Sequence, residues 1–281
     1  MVSERDVRRN FDSEGQIHIY SKTPSIGGSW STHPSLKYTS DNDVILGKPS
    51  VFAKVSTEQN ILVEKENLIK MRDQVSVPEV LDIYKNEEED LFEIHEMKPG
   101  YQIAAILVEE FIDSISLGQA VLEERLNIDL IVDGVLNILK DMHKFCAHRD
   151  LKHSHIRIDL DARTAENLTR GMREELDLDI EGFSIIDVET TKMKREFSDG
   201  EFEDNVVTDI TQLLASLNGY MSTLEHDTEV IKRVFPTPLA VRLKRFGTLL
   251  DALSDEYTIR LPKHFLTESK TTRFLKMKLG T

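Results

Sequence analysis

The chain has 281 residues, enough to bury a substantial core as one large domain or as two parts sharing a cleft. Fifty acidic against 35 basic side chains give a formal net charge of -15, which repels phosphate backbones and argues against nucleic-acid binding, so an anionic ligand must meet local cations. A single cysteine, Cys146, excludes an intrachain disulfide, and the sequence has no long apolar run and no signal-type start in MVSERDVRRN, so the expectation is a soluble cytoplasmic protein without membrane contact.

Residues 1–14 are polar and aperiodic. Between Gln16 and Val55, Gly, Ser, Thr and β-branched residues surround the short apolar runs IHIY, VILG and VFAKV, which predict strands. From Thr57 the spacing changes: Ile61, Leu62, Leu68 and Ile69, with charges between them, predict a helix ending near Met71, ahead of a loop that carries Pro78. Strands are expected again at VLDIY, LFEIHEM and QIAAILVEEFI, separated by the acidic turn NEEED and by Pro99-Gly100. Residues 15–113 therefore read as a β-rich part with one helix.

After Ser114 the texture becomes helical. Ile128, Ile131, Val132, Val135, Ile138, Leu139 and Met142 recur at helix spacing and predict a helix that buries one stripe and runs into His148. Two short strand patterns, HIRID and FSIID, flank an acidic insertion from Asp161 to Gly182, and Ile210, Leu213, Leu214 and Leu217 mark another buried helix. The remainder reads as a small helical cap whose basic end, Lys270, Arg273, Lys276 and Lys278, is a solvated face. Residues 114–281 thus form a mainly helical second part. The fold class is α+β, and two parts of this kind leave a cleft where ligands bind.

Phosphoryl transfer from ATP needs a cation on the phosphates, a carboxylate for Mg²⁺ or Mn²⁺, and a carboxylate that orients the attacking hydroxyl. Lys54 in VFAKV can meet the phosphates, and a buried lysine wants a carboxylate, for which the next helix offers Glu64 and Glu66; Glu66, opening ENLIKM, is preferred. In HRDLK, Asp150 is the candidate base, Lys152 can reach a transferring phosphoryl group, and Arg149 pairs outside the cleft. Asp187 ends the apolar run of SIIDVET, where a rigid strand can aim a carboxylate at a metal. Cys146 lacks any triad spacing and reads as apolar filler.

VFAK, the glutamate of ENLIKM, ILVEEFI, HRDLK and IIDVE stand in the order of the protein-kinase-like superfamily, which this chain resembles over residues 45–217. The resemblance implies a two-lobed fold and an ATP- and Mg²⁺-dependent kinase, with a protein Ser/Thr hydroxyl as first acceptor and a sugar or other small hydroxyl compound as second. It further implies that Glu110 and Ile112 present hinge backbone groups to adenine, and that Asp209 braces the catalytic loop from below.

The departures matter as much. No G-x-G-x-x-G occurs, and Gly27 and Gly28 of SIGGSW are the nearest substitute for a phosphate loop, or else an ordinary hairpin turn. The metal motif is Asp187-Val188-Glu189, no APE-like segment follows, and His155 stands where such loops carry asparagine. Imidazole is a poor Mg²⁺ ligand, so if the DVE segment is extended, Glu189 supplies the missing oxygen from the same side as Asp187. A similar HRD-to-histidine loop occurs in lipopolysaccharide core sugar kinases. The alternatives are that His155 merely packs beneath the loop, and that the chain is a nucleotide-binding pseudokinase scaffold.

Overall fold

The structure is a computed structural model that describes residues 17–20, 35–38, 51–56, 58–85, 92–95, 105–110, 112, 114–161, 164, 179–198, 200–226 and 239–259. Contacts divide the chain into two compact units, one of Met1–Asp73 with Val77–Ile112, the other of Gln74–Ser76 with Asp113–Thr281. Helix and strand are mixed, as an α+β class requires.

The first unit contains strands β1 (Ile17–Tyr20), β2 (Ser35–Tyr38) and β3 (Val51–Ser56), helix α1 (Glu58–Met71), and strands β4 (Val80–Lys85), β5 (Phe92–His95) and β6 (Ala105–Glu110). They form one six-stranded sheet in the order β4-β6-β3-β2-β1-β5. β3 is internal and antiparallel to both neighbours, which sets Lys54 opposite Leu107 and Ser35. The run VILG lies outside the described residues, and β2, with the sequence SLKY, was not among the expected strands.

Helix α1 packs on β3, β4 and β6. Its buried stripe is Ile61, Glu64, Leu68 and Met71, spaced three, four and three apart as one helical face demands. Leu62 and Ile69, expected to share the apolar stripe, are instead 42% and 48% exposed. A carboxylate therefore occupies the helix's buried face while two apolar side chains remain on its outer one.

The second unit contains β7 (Ser114–Ser116), α2 (Leu117–Leu122), α3 (Ile128–His143), β8 (Cys146–Ala147), β9 (Ile156–Leu160), β10 (Ile180–Ile185), β11 (Lys192–Met193), α4 (Glu201–His226) and α5 (Leu239–Glu256). β10, β9 and β7 make an antiparallel three-stranded sheet, and β11 pairs with β8. The Ile185 amide also donates to the Ser76 carbonyl at 2.9 Å, which is how Gln74–Ser76 joins this unit.

Local chemistry explains the helix starts. Ser116 and Gln119 form a reciprocal capping box at α2, the Ser116 amide donating to Gln119 Oε1 at 3.0 Å, and Asn127 caps α3 by accepting the Asp129 amide. α3 buries Ile131, Val135, Ile138, Leu139 and Met142, and burying such side chains stabilises by about 1.5–3 kcal/mol each. Gly134 lies on the same helix because the Phe183 ring of β10 fills the place of its side chain: a Cβ there would stand 2.0 Å from Phe183 Cε2. From α5, the buried Arg245 donates to the carbonyls of Val121 and Glu123 at 2.7 and 2.9 Å, closing the C-terminus of α2.

Candidate active site

The segment between β8 and β9 holds HRDLKHSH, and α4 fastens it from one side. Asp209, Gln212 and Ser216 stand three and four residues apart, so one face of α4 presents all three. Asp209 Oδ2 accepts the His148 amide at 2.7 Å and Oδ1 the Arg149 amide at 2.6 Å, while Gln212 Oε1 accepts Leu151 at 3.2 Å and Ser216 Oγ accepts His153 at 2.9 Å. Asp209 is fully buried and also meets His143 Nε2 at 3.3 Å, whose other ring nitrogen lies 3.2 Å from the Tyr257 hydroxyl. Buried carboxylate oxygens with several donors are strong acceptors, and here they hold a loop backbone instead of a side chain.

That grip sustains strain. Arg149 has φ 69° and Asp187 φ 61°, left-handed values that non-glycine residues rarely adopt and that concentrate at functional positions. The Asp150 carboxylate and the Lys152 ammonium lie 2.8 Å apart with exposures of 40% and 30%, so both are accessible to a ligand. Arg149 is exposed and faces the start of α4, where the Ser198 hydroxyl and amide hold the Glu201 carboxyl below its usual range, with smaller attractions from Lys192 and Arg149. Cys146 is buried and its thiol is pushed up to about 12 by burial, which leaves it inert as a nucleophile.

The acidic pair is built differently from the expectation. β10 ends at Ile185, so Asp187 does not end the strand and the DVE segment is not extended; Asp187 takes a left-handed φ and Glu189 enters a turn. The turn still brings carboxylate oxygens of Asp187 and Glu189 within 4.8 Å of one another. Two hard oxygen donors at that spacing fit a divalent cation such as Mg²⁺ or Mn²⁺.

Histidines hold this turn. The Ile186 amide donates to the His155 carbonyl at 3.0 Å, and His148 Nε2 lies 3.2 Å from the Ile186 carbonyl. The rings of His148 and His155 stack at 5.3 Å, and His155 Nε2 stands 3.3 Å from Asp187 Oδ2. The Ile186 carbonyl only accepts, so His148 Nε2 carries hydrogen and donates. His155 is thus buried beneath the loop and lies against Asp187.

Three further expectations meet the structure in the first unit. Glu66 is 65% exposed on its side chain and pairs with Lys70 at 2.8 Å, whereas Glu64 is only 1% exposed, so helix phase transfers the buried-carboxylate role from Glu66 to Glu64. The Glu110 amide is committed to the Glu79 carbonyl at 2.8 Å, because β6 extends to that residue. Ile112 is half-buried just after it. Gly27 and Gly28 lie outside the described residues, as do most of the insertion and the basic C-terminal residues. Among the described residues, no helix is long and apolar enough to cross a membrane.

No family model matches the sequence, and no curated protein matches it. Among solved structures the chain is similar to a kinase domain (TM-score 0.46, 13% identity, 96% of each chain covered) and to WaaP in complex with acyl carrier protein (TM-score 0.39, 16% identity, 82% of this chain and 86% of that one). It is also similar to Cex1p (TM-score 0.39, 12% identity), covering 96% of this chain and 43% of that one.

Proposed function

We propose that the protein is an ATP-dependent phosphotransferase acting on a hydroxyl group. The observation that carries this reading is the fastening of a strained HRDLK loop by four amide hydrogen bonds to α4, with Asp150 and Lys152 left accessible and an Asp187–Glu189 carboxylate pair on the neighbouring turn. A scaffold needs a folded loop but has no use for that set of exposed charges.

In this reading Asp150 accepts the proton of the attacking hydroxyl as the new oxygen–phosphorus bond forms and ADP departs with the electrons of the broken bond. Lys152 meets the charge on the transferring phosphoryl oxygens. Asp187 and Glu189 would hold a Mg²⁺ or Mn²⁺ ion, which would supply charge neutralisation on the phosphates. Lys54 on β3 is assigned to the α- and β-phosphates, with Glu64 in place of Glu66 as its carboxylate partner, and Gly27, Gly28, Glu110 and Ile112 keep the nucleotide roles that the resemblance implies.

The lysine in HRDLK supports a protein Ser/Thr acceptor. A second reading, a sugar or other small hydroxyl compound, is favoured by the short stretch between Asp187 and the start of α4 at Glu201, which carries only β11 and a single 3-10 turn at Lys194–Glu196 and offers little platform for a peptide. The test is a panel of protein and sugar acceptors with labelled ATP, comparing wild type with Asp150→Ala. Wild-type transfer to one acceptor class and none by the variant supports the proposal; equal transfer by both removes Asp150 from its role.

A further inference from the structure

Helix α5 carries two buried arginines three residues apart, Arg242 and Arg245, in unlike surroundings. Arg245 donates to the Val121 and Glu123 carbonyls at 2.7 and 2.9 Å and is attracted by Glu123 and Glu124. Arg242 is 6% exposed, and its buried Nε has no hydrogen-bond partner among the described residues. Burial lowers its pKa, and among the described residues no charge opposes that. We infer, independently of the phosphotransferase reading, that Arg242 and the first turn of α5 bind a small oxyanion of the phosphate class.

Several features of this turn call for negative charge. A guanidinium stays protonated in a protein, so burying one without a counter-charge is strongly unfavourable. α5 starts at Leu239 and Arg242 is its fourth residue, in the turn where helix amides lack intrahelical partners and the positive end of the dipole lies. Helical side chains lean toward the N-terminus, which carries the guanidinium back over that turn. No acidic residue stands there, and Arg245 adds a like charge three residues on. One oxyanion answers all of this: the planar fork of arginine meets two of its oxygens while helix amides meet another. Phosphate has oxygens for both partners at once, whereas a carboxylate offers only two. The small surface that Arg242 keeps suits an ion or a small phosphate ester, not a protein face.

The test is NMR of the arginine Nε–Hε signals of the full chain during titration with inorganic phosphate, with glycerol 3-phosphate as a second probe. The Arg242 signal, identified by its absence in Arg242→Met, is expected to shift and saturate, and the variant to bind phosphate about ten- to hundredfold more weakly by calorimetry. The titration is repeated in Lys152→Met, which weakens phosphate at the proposed nucleotide site and should leave the Arg242 shift in place. Phosphate binding that leaves the Arg242 signal unmoved overturns the inference. Stability separates a ligand site from a structural one: Arg242→Met removes an uncompensated buried cation, so it should melt no lower than wild type without phosphate and should lack the rise that phosphate gives wild type. A variant that melts early with and without phosphate, or one stabilised by phosphate as much as wild type, shows that the chain itself holds Arg242 or that phosphate binds elsewhere, and either result overturns the site. Where Arg242→Met does not fold, Arg242→Lys also removes the Nε signal while keeping the charge, and the shift in wild type still decides. Tighter binding of the ester than of inorganic phosphate names a phosphorylated small molecule as the source, the reverse order names the free ion, and binding of neither overturns the proposal.

Discussion

Asp209 accepts the Arg149 amide at 2.6 Å while Arg149 holds a left-handed φ of 69°. A buried carboxylate thus secures a backbone conformation that the residue would not adopt on its own, and it does so one position before Asp150. Asp209→Asn keeps the volume but offers one acceptor oxygen where two are used, leaving a buried amide unsatisfied. We expect a loss of about 1–3 kcal/mol in denaturant unfolding and a larger proportional loss of transfer activity, with faster hydrogen exchange at the His148 and Arg149 amides. Unchanged exchange at those amides contradicts the bracing role.

Lys152 and Asp150 should separate activity from stability. Their pair is 30% and 40% exposed, and such surface ion pairs contribute about 0–1 kcal/mol. Lys152→Met is therefore expected to shift the melting midpoint little while reducing kcat about a hundredfold or more, in the range seen when a group that meets transition-state charge is removed. A variant that melts early and keeps its kcat would place Lys152 in the fold and not in the reaction.

The Gly134–Phe183 contact is a packing prediction. A Cβ at 134 would collide with the ring at 2.0 Å, and overpacking of this kind costs about 1–3 kcal/mol. Gly134→Ala should destabilise despite its better helix propensity, and Phe183→Leu in the same chain should return part of the loss. Additive destabilisation in the double-variant cycle shows that the two residues do not meet.

His153 supplies a pH dependence. Burial pushes its pKa down to about 4, its ring lies 4.5 Å from that of Tyr220, and its Nδ1 has no hydrogen-bond partner among the described residues. The folded value lies below the unfolded one of about 6.5, so the unfolded chain binds the proton first. Stability associated with neutral His153 is fully present above pH about 6.5 and is lost as pH falls toward 4, up to about 3 kcal/mol. His153→Phe should flatten that limb of the stability profile by a comparable amount, measured by denaturant melts across the same pH range. An unaltered slope means that another group governs the acid limb.

The sequence disclosed the site unevenly, for physical reasons. HRDLK was legible because a five-residue motif followed an apolar helix and preceded a short strand, and α3 was legible because its stripe repeats at helix spacing. Glu64 was readable too: it continues the series of Ile61, Leu68 and Met71, but local likeness at ENLIKM drew attention to Glu66, which the helix turns outward toward Lys70. Asp209 was visible by resemblance, whereas Gln212 and Ser216 gain meaning only once α4 lies along the loop. The capping box of Ser116 and Gln119 is a local signal that marks the start of α2. The turn at Asp187 was not deducible, since an apolar run gives no sign of the residue at which a strand yields to a left-handed φ, nor of a histidine 32 positions earlier that comes within 3.3 Å of it.

The central claim is that Asp150, held by the braced loop, receives a hydroxyl proton while phosphate moves from ATP. Phosphorus NMR of wild type and Asp150→Asn with ATP, Mg²⁺ and the acceptor selected from the panel tests it most directly. Wild type should show a new phosphomonoester resonance growing with ADP and the variant none, with nucleotide binding retained by both. A monoester forming equally fast in Asp150→Asn, or nucleotide bound by wild type with no monoester from any acceptor, contradicts it.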